Sequence, residues 1–527
     1  MVISTFVNGR LTTTQRRNSS GTQIGRVIQT YDTHGRPATV TDDRNGTITH
    51  QYVAGSDLVW KVTTPPSGTG DPGQTTVYEY DVAGRAWKVT HPDGGIVNTT
   101  YTPRGEVATT YGARSYPVEH TYDSQGRMKT LKTWQNKGAS TGAAVTTWTY
   151  DDRRGWLTAK KYEGRTTSVE YEYTPAGRLK LRRWERNAST GGRLVTTYRH
   201  GIASDKLLIP TLPLDGGLHR IEYGTTAVGT PEVRYTYDRA GRRISTAQFN
   251  GTTELRRVNW QPDEIGAFGT ETMVEAGATT FTLNRGADFL LRPGSLTLQR
   301  TATNVLGMTY GYDTASRLTS VSDGALSATY AYQANSDLLS TITLRNGATT
   351  RLTTTRVYDR WARLQSQWAV ANAAAMQPVV GSGYSYNAAG QRIRQDLGDA
   401  TYWTYAYDTL GQLTGAQRRW TDGTLVAGQQ YGYLYDDIGN RKESREGGGT
   451  NGAGLQTTTY TANLLNQYSG IGTPGVASVN GLANATNNVS VNGVGAIRQG
   501  EYWWRETTVN NASASVWASL NLSLIHI

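Results

Sequence analysis

The chain has 527 residues, 53 Lys and Arg against 42 Asp and Glu, a net charge of +11 and no cysteine. The missing thiols exclude disulfide staples, cysteine nucleophiles and every cysteine-ligated zinc or iron-sulfur site. The basic excess is spread along the chain, with only short clusters such as Arg16-Arg17, Arg182-Arg183 and Arg418-Arg419. It therefore reads as solvated strand faces, and no nucleic-acid partner is expected.

From Met1 to Gly25 no apolar core follows a basic segment, and nowhere do 18 apolar residues run together, so neither a signal peptide nor a membrane span is predicted. Residues 1–27 read as lead-in strands, a truncated repeat. Then a hexapeptide Tyr-Asp-x-x-Gly-Arg begins. It is intact at Tyr31, Asp32, Gly35 and Arg36, at Tyr80, Asp81, Gly84 and Arg85, at Tyr122, Asp123, Gly126 and Arg127, and at Tyr237, Asp238, Gly241 and Arg242. Looser copies keep part of it: Tyr173, Gly177 and Arg178 lose the Asp, Tyr407, Asp408 and Gly411 lose the Arg, and Tyr435, Asp436 and Gly439 read Asn440 there. Tyr312 to Arg317 and Tyr358 to Arg363 lose the Gly.

From Tyr31 through Tyr52, Tyr80, Tyr101, Tyr122 and Tyr150 the steps are 21, 28, 21, 21 and 28. A fixed period of that size marks stacked supersecondary units. Between Tyr173 and Tyr312 the motif thins, and degenerate repeats with longer loops are expected there. Tyr-x-Tyr pairs such as Tyr78 and Tyr80 put both rings on one face of a strand. Asp-x-x-Gly suits a four-residue turn whose first carboxylate accepts backbone N–H groups and whose last residue takes a positive φ. Each unit then supplies a hairpin, and some twenty units predict an all-β fold: one spiralling, barrel-like sheet or part of one, of around forty strands. The one helix candidate is the Ala-rich run Ala369 to Gln377.

Tyr-Asp-x-x-Gly-Arg at this spacing resembles the YD repeats of bacterial Rhs proteins, insecticidal toxin-complex subunits and animal teneurins, over residues 28–470. The element Tyr460 to Tyr468, with Asn463-Leu-Leu-Asn466-Gln467, also looks like a recurrent piece of these proteins. The resemblance implies a β-sheet cocoon, a secreted or cell-surface setting, and as partner the rest of a parent polypeptide, whose C-terminal part is often an enclosed toxin. No Asp-Pro-x-Gly segment of the kind that closes the Rhs core is present, so self-cleavage and toxicity do not carry over. Residues 471–521, rich in Gly, Asn and Val, are similar to small β modules inserted in some large YD-repeat surface proteins. Residues 522–527 look like vector-derived sequence and are set apart from the fold, and the chain is expected to be a fragment.

No catalytic, cofactor or metal site is predicted. The seven histidines show no ligand pairing. The acidic doublets Asp42-Asp43, Asp151-Asp152 and Asp436-Asp437 could be offered as glycosidase carboxylates, but two of them fall in the repeat's turn. The motif Arg is expected to pair with a turn Asp. Trp134, Trp184, Trp368 and Trp420, on strands returning from turns, read as packing positions. The expected role is a structural scaffold that encloses or displays another polypeptide; the alternative is a cell-surface adhesin that binds glycans through exposed aromatics.

Overall fold

Tyr-x-Tyr and Thr-rich segments of five to ten residues suit a pleated, half-buried surface, and Gly-containing turns interrupt them at short intervals. In the computed structural model these segments join one 38-stranded antiparallel sheet running from Val2–Val7 to Tyr468–Gly472. The structure describes residues 1–68, 72–187, 191–209, 211–224, 232–262, 268–275, 277–371, 378–511, 514 and 516–526. Each strand pairs with its sequence neighbours, so the sheet is a continuous meander and the predicted all-β fold is the observed one.

The solvent-accessible area is 30062 Å². A compact protein of 57.6 kDa would expose roughly 19,000 Å². The excess means that most of the chain is a single layer wetted on both faces, which fits the scarcity of fully buried side chains. The buried apolar cluster of Val489, Val491 and Trp503 lies past the wall, where two three-stranded sheets form. One of these joins Val476–Leu482, Tyr502–Thr508 and Ile497–Gln499. It sits on the wall strand Leu425–Tyr435: the Tyr502 hydroxyl donates to the Ala427 carbonyl (2.7 Å), and Gly428 leaves the space that the Trp504 ring occupies.

Two sequence expectations change. Ala369 to Ala371 belong to the strand Leu364–Ala371, paired with Pro378–Tyr386, and 372–377 lie outside the described residues. Helix propensity there is overridden by the ladders on both sides. The last residues, set apart from the fold, do pair: Leu522–His526 runs antiparallel to Asn487–Val491. Among the described residues a helix does form at Ala203–Leu208, in the thinned zone between two strands, and buries Asp205, whose carboxylate accepts the His200 N–H (2.7 Å).

Candidate functional site

At Tyr31 to Arg36 the Gly35 N–H donates to the Asp32 carbonyl and the Asp32 N–H to the Arg36 carbonyl, each at 2.9 Å, with Gly35 at φ +84°. One Asp32 oxygen accepts the N–H groups of His34 and Arg36; the other accepts Arg36 Nε at 2.8 Å. Asp81 with Arg85, Asp123 with Arg127 and Asp238 with Arg242 repeat this arrangement, with Gly84, Gly126 and Gly241 all at positive φ. Each motif Arg thus grips the carboxylate of its own turn. In the looser copies the geometry persists with substitutes: Gln412 Nε2 donates to Asp408 (2.9 Å), Asn440 Nδ2 to Asp436 (2.7 Å), and the Thr174 hydroxyl accepts the Arg178 N–H (3.1 Å), while Gly411, Gly439 and Gly177 keep positive φ.

The tyrosine reaches backward. Its hydroxyl donates to the carbonyl just past the preceding turn: Tyr52 to Pro37, Tyr101 to Ala86, Tyr122 to Val107, Tyr150 to Met128 and Tyr386 to Leu364, all at 2.7–2.9 Å. The guanidinium of the preceding turn lies over the same ring, Arg36 over Tyr52 at 4.2 Å and Arg127 over Tyr150 at 4.5 Å. One motif therefore closes its own hairpin and ties it to the next.

The chain is built of repeats of one Tyr-Asp-x-x-Gly-Arg turn.

No family model matches the chain, and no curated protein does. Solved structures do. A Photorhabdus luminescens Tc holotoxin pore carrying a TccC3 substitution is 14% identical over 86% of this chain and 26% of its own, with a TM-score of 0.49. A TcdB2-TccC3 structure without its hypervariable C-terminal region is 14% identical over 89% of this chain and 29% of its own, with a TM-score of 0.46. The chain spans about a quarter of the length of the structures it matches.

Each YD tyrosine also follows a register shift. Thr121 faces Thr130 but Tyr122 faces Met128, leaving Lys129 as the extra residue of a bulge; Trp60, Trp87 and Lys180 hold the same place in their repeats. A bulge bends the strand and increases its twist, so one bulge per repeat accumulates into curvature. Trp60 and Trp87 end 39% and 40% exposed.

Curvature brings the sheet back onto itself after about 300 residues. Arg16 pairs with Asp337 (2.7 Å), Arg44 Nη2 donates to the Asp359 carbonyl (2.9 Å), Trp361 Nε1 to the Pro65 carbonyl (2.8 Å) and the Lys137 N–H to the Asp437 carboxylate (2.7 Å), across sequence separations of 321, 315, 296 and 300. The pattern is directional: YD turns of the later circuit sit on the opposite rim of the earlier one. Asp437 is thus a seam residue, while its doublet partner Asp436 and Asp151 cap their own turns and Asp42 caps Arg44 and Asn45.

A turn of the same kind, Asp288 to Arg292, carries neither mark of the motif in the sequence: Ala287 replaces Tyr and Leu291 replaces Gly. Arg292 Nε still donates to Asp288 (2.7 Å), and its guanidinium covers Tyr312 at 4.3 Å. The surviving signal is Asp-x-x-x-Arg. Leu291, Ser316 and Ala362 occupy the glycine position at φ +62°, +63° and +61°. A left-handed residue with a Cβ costs about 1–2 kcal/mol. Ala362→Gly should therefore stabilise the wall by about 0.5–1 kcal/mol, read as a rise in urea midpoint, after the greater chain entropy of glycine is deducted; Ser316→Gly gains less, because it also removes the hydroxyl that accepts Arg292 Nη1 (3.0 Å).

Desolvation opposes ionisation of Asp32, but the Arg36 side chain and the N–H groups of Arg36 and His34 outweigh it and lower its pKa to about 2. Hydrogen bonds from Arg85, Arg242 and Arg292 lower Asp81, Asp238 and Asp288 as well. Such carboxyls bind fewer protons folded than unfolded, where their pKa is about 3.9, so their contribution is complete above about pH 4 and is lost as pH falls toward 2. Melting temperature should fall steeply between pH 4 and 2. A steeper loss between pH 8 and 5 would contradict the turn as the acid-sensitive element.

Proposed function

We propose that this chain is a wall segment of a larger YD-repeat protein, secreted or displayed at the cell surface, that encloses or presents another polypeptide. The sheet from Val2–Val7 to Tyr468–Gly472 is the wall, and the two small sheets past it, one of them including Leu522–His526, are a β module attached to it. The observation that carries this reading is a single sheet, wetted on both faces, that returns to contact itself after one circuit. A wall of this kind stores its stability in repeated hairpin-to-hairpin ties and leaves its two surfaces free to face different surroundings. Among the described residues no group of three or more His, Asp or Glu is placed to hold a metal, and no helix is long and apolar enough to cross a membrane.

The Tc structures carry TccC3, one of them without a hypervariable C-terminal region. By analogy, the polypeptide served here is a further part of the same parent chain. Protease treatment of the parent protein tests this. The enclosed segment should resist cleavage at neutral pH and become cleavable once the wall is opened at pH 2–3, then digested after rapid neutralisation. Equal cleavage before and after opening would defeat the reading.

The exposed Trp60 and Trp87 support the second reading, a glycan-binding surface. It requires glycan-array signals that disappear in Trp60→Ser and Trp87→Ser while the unfolding midpoint stays constant.

A further inference from the structure

Ala287 stands where the neighbouring repeats have tyrosine. It faces Pro293 directly after a register shift, as Tyr312 faces Leu318 in the next repeat. The ring that elsewhere leans back onto the preceding repeat is therefore missing, and beside Ala287 there is a cavity of about 690 Å³. That is within the range of sites that hold organic ligands. Leu291, Leu296 and Leu318 line it together with Tyr310 and Tyr312. Glu271 and Arg285, paired at 2.9 Å, supply a charged part of the lining.

The adjoining turn is apolar and uncovered: Phe289, Leu290 and Leu291 are 88%, 52% and 64% exposed. The chain offers its own comparison. Ala462 likewise precedes a turn with an apolar tip, Asn463 to Gln467, and there another segment lies against it. Gln135 Nε2 donates to the carbonyl of Ala462 (3.2 Å), and Leu464 and Leu465 share a cavity with Tyr162 and Trp184 of the earlier circuit. The same kind of turn at 288–292 has no such cover among the described residues.

We propose that the cavity beside Ala287 binds an aromatic side chain, tyrosine or phenylalanine, presented by a partner polypeptide that also covers Phe289 and Leu290. The site offers a ring aliphatic and aromatic walls with Glu271 and Arg285 at its edge. The Glu271 carboxylate can accept a phenol hydroxyl, and the Arg285 guanidinium can donate to a peptide carbonyl, contacts that a lipid chain cannot return. A contiguous exposed apolar patch next to a cavity with room for a ring and the backbone that carries it suits a peptide better than a free small molecule. This inference rests on the enclosing or displaying role only for the source of the polypeptide.

The probe is p-cresol, the tyrosine side-chain analogue, titrated into the full 527-residue chain with ligand-observed NMR as the readout. Binding is expected, with a dissociation constant raised at least about tenfold in Ala287→Tyr, which supplies the missing ring, and in Ala287→Met, a more easily accommodated plug. No binding to the unaltered chain, or equal binding to all three, would overturn the proposal. The peptide Gly-Tyr-Gly should compete with p-cresol. Failure to compete, combined with Phe289-dependent sedimentation on phosphatidylcholine vesicles, would assign the patch to a bilayer and also overturn it. Protease protection of the parent protein is a separate result, so the two readings can fail independently.

Discussion

Asp359→Ala is expected to destabilise the wall by about 3–5 kcal/mol, because it strips the partner from a largely buried guanidinium. The Asp359 side chain is 2% exposed and pairs with Arg363, itself 19% exposed. Its carboxylate also accepts the N–H groups of Trp361 and Arg363, both at 2.9 Å. The same turn is part of the seam: the Asp359 carbonyl accepts Arg44, and Trp361 donates to Pro65 of the earlier circuit. Losing the carboxylate therefore loosens one hairpin and its hold on another some 300 residues away. The control is Asp238→Ala. Its partner Arg242 is 44% exposed, so water replaces much of the lost interaction, and about 1 kcal/mol is expected. Urea unfolding followed by tryptophan fluorescence compares the two. Equal costs would mean that the turn contributes only its local hydrogen bonds.

Gly126→Val should cost about 2–3 kcal/mol, against less than about 0.5 kcal/mol for Ser124→Val in the same turn. Gly126 is at φ +79°, where a β-branched residue is strained, and its added Cβ would lie 3.3 Å from Arg104 Nη2. Ser124 is exposed at the tip, and only its carbonyl is engaged, by Arg104. Similar unfolding midpoints for the two variants would contradict the turn geometry.

Local features of the repeat were legible in the sequence. An Asp three residues before a Gly describes its own turn, and a 21- or 28-residue step between tyrosines describes a hairpin repeat, so the single antiparallel sheet could be read before any coordinates. What escaped reading is contact with backbone. The Tyr122 hydroxyl donates to the Val107 carbonyl, and any residue at 107 supplies that acceptor, so the tie leaves no complementary signature. The seam is similar, since Arg44 and Trp361 donate to main-chain carbonyls. The bulge at Lys129 is hidden because the extra residue differs from repeat to repeat, being Trp at 60 and 87 and Lys at 180. The turn at Asp288 lacks both Tyr and Gly, the two residues that mark the motif, although the ion pair that holds it survives. At Ala369 to Ala371 a local helix preference gave way to strand ladders set by residues outside the run.

The sheet closes one circuit in about 300 residues and rests its later turns on its earlier rim. With no cysteine in the chain, two can be introduced cleanly. In a Lys137→Cys, Ile438→Cys protein, treated at low concentration with a short bismaleimide, the expected result is an intramolecular link that closes a loop of about 300 residues and changes mobility on a denaturing gel. Lys137→Cys with Ala400→Cys, which places the second thiol on the far rim of the later circuit, should not link. Failure of the first pair, or equal linking of both, would contradict the coiled wall.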